Sequence, residues 1–180
     1  MKNVAFLCLL LIGFASNKLS GQPTEAVAKE KMKIFSSWAG HWQGEGSMQM
    51  GQGTPKKSLV DEYVEFKLDG SILAVEGIGK SLEAENKDKI SHHAYAILYF
   101  DQRANEYKFN TNLKDGRNSQ SWFKILEDNK YQWGFDVPSG KIRYSIHLDA
   151  SAKTWNEIGE FSSDNGSTWH KFFEMNLKKI

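Results

Sequence analysis

Residues 106–113 read Glu-Tyr-Lys-Phe-Asn-Thr-Asn-Leu, and this stretch decides the fold because its side chains alternate between two faces, one mostly apolar and one wholly polar. A period of two is typical of a β-strand with one buried face. The stretch is followed by Lys114, Asp115 and Gly116, a turn sequence that favours an antiparallel hairpin. The predicted inner face consists of Tyr107, Phe109, Thr111 and Leu113.

The chain after residue 38 continues the pattern of short apolar runs and turns. Short runs rich in Val, Ile, Tyr, Phe and Trp alternate with turn sequences such as Asp69-Gly70, and no helix-length period interrupts them. About ten strands are predicted: Trp42–Met50, Ser58–Leu68, Ser71–Lys80, His92–Asp101, Glu106–Leu113, Ser119–Leu126, Lys130–Asp136, Lys141–Leu148, Thr154–Ser162 and Thr168–Lys178. A long meander removes its exposed edges by closing on itself. Residues 38–180 are therefore predicted to form an all-β, closed, antiparallel up-and-down barrel.

The segment before the barrel, residues 22–37, is predicted to form one helix. Thr24 can cap it, and good helix formers follow over its first two turns. Val27, Lys31, Ile34 and Trp38 fall on one stripe at helical spacing, so this stripe is expected to face the end of the barrel.

Residues 1–21 have the pattern of a secretory signal peptide. Lys2 precedes an apolar run over residues 4–15, which is shorter than the roughly 20 residues of a membrane-spanning helix. Cleavage is expected after Gly21, which predicts export to the periplasm or the extracellular space and no stable membrane anchor. Cleavage would remove the only cysteine, Cys8, and two of the 23 basic residues but none of the 22 acidic ones, leaving a formal charge of −1. Nothing in that balance favours nucleic acid as a partner.

Two carboxylates are expected on inner strand faces. Alternation carries Glu62 onto the face of Val60 and Val64, and Glu157 onto the face of Trp155 and Phe161. A carboxylate inside a barrel costs several kcal/mol unless it is paired or wetted. Either these two residues line a wet pocket and orient a ligand, or they sit near the barrel mouth. In the second case they could also pair with a basic neighbour, such as Arg143 or Lys171.

The leading functional hypothesis is a binding protein that takes an apolar or amphipathic small molecule in its lumen. Glu62 and Glu157 would be polar anchors, and the wall would be made of Tyr107, Phe109, Thr111, Trp133 and Tyr144. The alternative is a structural or interaction barrel whose aromatic side chains fill the lumen. Catalysis is left uncertain, because no recognisable nucleophile motif is present; a small hydrolase or isomerase is a further alternative.

The first predicted strand carries a motif with a known resemblance. Gly40 and Trp42 match the Gly-x-Trp of lipocalins and fatty-acid-binding proteins, and with Gly44 and Gly46 they form Gly-x-Trp-x-Gly-x-Gly. The longer motif resembles the first strand of nitrobindins and of an uncharacterised family of exported bacterial barrels. The resemblance implies a calycin-like barrel in which Trp42 fills one end and the two later glycines let the strand bend.

The resemblance to nitrobindins also implies haem as an alternative cofactor, held by a histidine near the last strand. His170 is the histidine in that place. Otherwise no cofactor and no metal site is predicted, since the adjacent pair His92-His93 points to opposite faces of a strand.

Residues 162–169 fit the Asp-box pattern Ser-x-Asp-x-Gly-x-Thr-Trp, which recurs in sialidase propellers. A single copy predicts a turn device rather than a glycosidase. In this reading Asp164 binds turn amides, Gly166 takes a positive φ and Trp169 packs under the hairpin.

Overall fold

The computed structural model describes residues 23–49, 51–127 and 129–180 and shows a closed antiparallel β-barrel. The predicted fold class is confirmed. A helix α1 (Glu25–Met32) precedes ten strands. Their bounds are β1 Gly40–Met48, β2 Lys56–Lys67, β3 Ile72–Ser81, β4 Ile90–Asp101, β5 Glu106–Leu113, β6 Asn118–Glu127, β7 Lys130–Val137, β8 Gly140–Asp149, β9 Thr154–Ser162 and β10 His170–Lys179. The predicted signal peptide, residues 1–21, lies outside the described residues, as does Met50, the expected end of the first strand.

Each strand pairs with its neighbour in sequence, and β1 pairs with β10 to close the ring. At this seam Gly44 lies opposite Leu177. A Cβ on Gly44 would stand 2.0 Å from the backbone oxygen of Asn176, so only glycine allows the two strands to approach this closely. Gly46 faces the side chain of Val60, 3.0 Å from where its own Cβ would be.

The helix presents a different face from the predicted one. Thr24 caps α1, and its side chain accepts a hydrogen bond from the amide of Val27. However, Val27 and Ile34 are exposed, whereas Met32, Phe35 and Trp38 are completely buried. Trp38 is the one buried residue of the expected stripe, because the face that packs inward is the one that carries Met32 and Phe35. α1 ends at Met32, and the chain tightens into a 3₁₀ turn over Lys33–Phe35, whose period of three residues keeps positions 32 and 35 on the same side.

This buried face fills one end of the barrel, which we call the helix end. The ring of Phe35 contacts four aromatic rings at centroid distances of 5.4 to 5.7 Å, namely Trp38, Tyr107, Phe123 and Tyr131. Trp42 is completely buried beside them, and its indole donates to the carbonyl of Trp38 over 2.7 Å. The helix end is therefore a solid aromatic core.

The end of β2 also differs from the sequence prediction. Alternation along β2 from Val60, Val64 and Phe66 would place Leu68 on the inner face, but its side chain is 71% exposed. Leu68 and Asp69 both take positive φ values, of 48° and 54°, in a tight turn before Gly70. Because this turn ends the strand, Leu68 does not follow the alternation of β2, and its side chain points to solvent.

The Asp-box forms the turn between β9 and β10. The carboxylate of Asp164 accepts hydrogen bonds from the hydroxyl of Ser162 and from both the amide and the hydroxyl of Thr168. Gly166 has a φ of +94°, and the indole of Trp169 donates to its carbonyl over 3.0 Å. Because Asp164 engages Thr168 in the turn, β10 begins at His170 and not at Thr168.

The side-chain hydrogen bond from Thr168, followed by the one from its amide, holds the pKa of Asp164 well below its usual range. Replacing Asp164 with alanine should therefore lower the melting temperature and speed hydrogen exchange at the amides of Gly166 and Thr168. Hydrogen exchange measured by NMR checks this, with D149A as a control that opens the separate β8–β9 turn. Unchanged exchange at both amides would show that the carboxylate does not hold the turn.

Candidate functional site

The lumen is filled at the helix end and accessible at the other. Inward-facing side chains near the helix, such as Leu73, Leu98 and Leu148, are completely buried. Toward the other end, the inward-facing side chains of Trp133 and Tyr144 keep part of their surface accessible. We call this second region the open half of the lumen. Its defining residues are Glu62, Thr111, Trp133, Tyr144, Glu157 and Phe173.

An aromatic wall lines one side of the open half. Trp133 on β7 and Tyr144 on β8 are cross-strand partners, and their rings stack at 4.2 Å with an interplanar angle of 10°. A β-bulge between Lys171 and Phe173 lets both Phe172 and Phe173 meet the ring of Tyr144 edge-on, with ring centroids 5.9 Å apart in each pair. Burial, followed by the charge of Glu157, raises the pKa of the Tyr144 hydroxyl. The wall offers rigid surface on which a flat apolar group can stack.

Glu157 lies against this wall and is buried. Its two carboxylate oxygens accept hydrogen bonds from two indoles, that of Trp133 over 3.0 Å and that of Trp155 over 3.2 Å. Burial raises the pKa of Glu157 to about 7, although both indole hydrogen bonds act in the opposite direction. Each oxygen keeps a free lone pair, so the group can still accept a hydrogen bond from the lumen.

Glu62 is the second inward carboxylate, and no indole among the described residues donates a hydrogen bond to it. Its carboxylate lies over Gly77 of β3, with Oε1 only 2.6 Å from where a Cβ at that position would be. Protein surrounds the side chain, so its remaining accessible surface faces the lumen and not the bulk solvent. Within residues 23–49, 51–127 and 129–180, no hydrogen-bond donor reaches it. Burial, followed by repulsion from Glu157 and Asp61, raises the pKa of Glu62 to about 8.

The basic residues considered as partners are engaged elsewhere. Arg143 pairs with Glu160 over 2.7 Å and covers the ring of Trp169, while Lys171 pairs with Glu174 over 2.7 Å. The alternative in which Arg143 or Lys171 neutralises an inward carboxylate is therefore wrong. Among the residues that the structure describes, no basic side chain pairs with either carboxylate of the open half, and near neutral pH these two groups can exchange protons or accept hydrogen bonds.

The lumen also contains an unpartnered hydroxyl. Thr111 Oγ1 is buried and has no hydrogen-bond partner among the described residues. Its neighbours across the strands, Ala96 on β4 and Ser119 on β6, are small. Buried polar atoms are normally satisfied by protein or by an ordered molecule. This hydroxyl therefore lacks, among the described residues, the partner that a buried polar atom normally has.

Tyr107 and Phe109, two further residues of the predicted wall, lie nearer the helix end. The hydroxyl of Tyr107 donates to the carbonyl of Lys31 over 2.8 Å, and its ring packs on Phe35. Phe109 is buried, and its ring meets the ring of Trp133 edge-on, with the two ring centroids 4.9 Å apart. Tyr107 thus fixes the helix to the barrel, and Phe109 packs against Trp133 of the aromatic wall.

Sequence reasoning missed three residues that shape the site: Gly77, Trp155 and Phe173. Alternation had placed Trp155 on the face of Glu157, and this was the available signal for its role. The register that sets Gly77 opposite Glu62 had no signal in the sequence, and neither did the bulge that turns Phe173 inward.

Polar side chains and loops form the rim of the open half. His170, the histidine considered as a haem ligand, is exposed at the start of β10. Two hollows of about 420 and 460 Å³ lie on this rim, and the second is lined partly by His92, Asp115 and Arg117. Both hollows are widely open to solvent, and neither Glu62 nor Glu157 lines them. They therefore belong to the mouth of the barrel and not to the region around the two inward carboxylates. In the described part of the chain, no helix has the length and apolar character to cross a membrane.

Comparison with known proteins supports the architecture. No protein-family model matches the chain, and no curated sequence does either. Two solved structures are similar: Rv2717c from M. tuberculosis, with a TM-score of 0.60 and 10% identity over 83% of this chain and 96% of that one, and the S-type phycobiliprotein lyase CPES from Guillardia theta, with a TM-score of 0.57 and 11% identity over 88% and 98%. The similarity covers the fold alone. It supports the calycin-like barrel, whereas the narrower resemblance to nitrobindins stays a prediction.

Proposed function

We propose that this protein is an exported binding protein that takes an apolar or amphipathic small molecule in the open half of its barrel. The observation that carries the proposal is the partial accessibility of Trp133 and Tyr144, which face inward and stack on each other. An aromatic surface left accessible inside a barrel gains free energy when a flat apolar group covers it. The sequence of residues 1–21 supports the export part of the proposal.

The contrast between the two ends of the barrel favours binding over a purely structural role. A structural barrel gains most from a lumen filled throughout, as the helix end is by Phe35, Trp38 and Trp42. Retained accessible surface beside polar groups is typical of ligand sites. A barrel of this fold serves as a phycobiliprotein lyase in Guillardia theta, so the architecture is compatible with more than a scaffold. Haem stays an alternative ligand, with His170 as its suggested partner.

A neutral dye tests the proposal without depending on charge. Nile red should bind the purified protein with a blue-shifted emission, because the aromatic wall is less polar than water. W133L should weaken binding about tenfold, since the stacking surface is lost. The measurement is a fluorescence titration.

W122L is the matched control, because Trp122 lies on β6 with an exposed ring on the outer face of the barrel. It should leave dye binding unchanged. If Nile red does not bind, or if W133L and W122L act alike, the lumen is not a binding site and the structural alternative holds.

A further inference from the structure

The two inward carboxylates identify the chemistry that the lumen would accept. Glu62 and Glu157 face the open half, and the charge of Glu157 is felt at Glu62. Glu157 is held by two indole donors, whereas no donor from the described chain reaches Glu62. The site therefore supplies hydrogen-bond acceptors without a protein cation, which is the arrangement a donor-rich, positively charged group would complete.

A second and independent observation is an unsatisfied polar atom on the inner face of the barrel. The buried Thr111 Oγ1 has no partner among the described residues. In the sheet, Ala94 and Ala96 of β4 separate Thr111 from Gly77, over which the Glu62 carboxylate lies. The side chains between the hydroxyl and the carboxylate are therefore small, and a ligand group that reaches this part of the lumen would be able to donate to both.

We propose that Glu62 and Glu157 recognise the ammonium group of an organic amine whose apolar body stacks on Trp133 and Tyr144. This inference rests on the proposed function and adds the ligand class to it. An ammonium has three donors and a compact charge, so it can donate to a carboxylate and to a further acceptor such as the Thr111 hydroxyl. The stacked pair Trp133–Tyr144 lies next to Glu157, because the Trp133 indole itself donates to that carboxylate.

The test uses three probes that share one apolar body: 2-naphthylmethylamine, 2-naphthylmethanol and 2-naphthoic acid. Each competes with Nile red at pH 8. The amine should bind at least about tenfold more tightly than the alcohol, because charge-assisted hydrogen bonds are stronger than neutral ones. The acid should bind most weakly, since its carboxylate meets two others.

Variants locate the effect. E62Q should remove most of the amine's advantage, about tenfold, and leave the affinity for the alcohol within about twofold. E65Q, on the outer face of the same strand, should change neither. G77A keeps both charges but places a methyl group where the Glu62 carboxylate lies, so it should also weaken amine binding. Circular dichroism shows whether each variant keeps its fold.

Proton release on binding is a further measurement. It would not occur if Glu62 and Glu157 had only a structural role. The charged groups that act on Glu62 are Glu157 in the lumen and Asp61, its neighbour on β2. The Tyr144 hydroxyl lies near Glu157, and His92 lines the hollow at the mouth. Since the raised pKa values keep both carboxylates largely protonated below neutrality, affinity for the amine should increase between pH 6 and pH 8.5. In unbuffered solution, binding should release protons.

The outcomes separate the two proposals. If Nile red binds in the lumen but the three naphthyl probes compete equally, or E62Q leaves amine binding intact, the amine inference is overturned and the binding function stands. If Nile red fails to bind and none of the naphthyl probes binds when titrated directly, both proposals fail together.

Discussion

Replacing Phe35 with alanine should lower the free energy of unfolding by about 3 to 5 kcal/mol, the range for a large aromatic side chain removed from a tight core. Phe35 is completely buried and contacts four aromatic rings at the helix end. None of these rings can move into the vacated space easily, because each is held by its own strand or by the helix. Urea denaturation followed by far-UV circular dichroism measures the change.

Ile34 provides the matched control, because it is adjacent in sequence and 46% exposed. I34A should change the free energy of unfolding by less than about 1 kcal/mol. The comparison also distinguishes the two faces of the helix, since packing through the predicted stripe would bury Ile34. Equal losses for the two variants, or a larger one for I34A, would mean that the helix end is packed differently.

The sequence predicted the barrel well because its signal is local. Residues 106–113 alternate strictly, β5 is Glu106–Leu113 as expected, and β9 is also Thr154–Ser162 as expected. The errors concern side chains whose direction depends on packing or on turn geometry. Phe35 was missed because Met32 and Phe35 form a second stripe at helical spacing beside the one through Val27 and Ile34, and Leu68 was misplaced because positive φ values rotate it out of the strand.

The candidate site was only partly predictable, since alternation tells which face a residue is on but not its depth along the barrel. Glu62 and Glu157 were found because a charged residue on an apolar face stands out. Tyr107 was grouped with Trp133, although it lies at the helix end and donates to Lys31. What brings Gly77 under the Glu62 carboxylate is the register between β2 and β3, and register depends on long-range pairing that no short window contains.

The stability of the protein should fall as the pH rises from 6 to 9, because folding keeps a proton on Glu62. Burial and the neighbouring carboxylates raise the pKa of Glu62 to about 8, whereas in the unfolded chain its pKa lies near 4.5. Between these two values the folded state binds more protons than the unfolded state, so the free energy of unfolding decreases with pH. From pH 6 to pH 9 Glu62 accounts for a loss of about 2 to 3 kcal/mol, at about 1.4 kcal/mol per pH unit up to its pKa.

Glu62→Gln isolates this contribution because glutamine keeps the shape of the protonated acid and cannot ionise. Between pH 6 and pH 8 the wild type should lose stability through Glu62 while the variant has no such loss, so by pH 9 the variant should have gained about 2 kcal/mol or more on the wild type, relative to their difference at pH 6. Urea denaturation at several pH values measures this, and E65Q should follow the wild type because Glu65 is on the outer face and pairs with Lys67. Stability profiles of the wild type and E62Q that run parallel from pH 6 to pH 9 would mean that Glu62 is already ionised in the folded protein at pH 6. It would then need a cation that the lumen of the described chain does not supply.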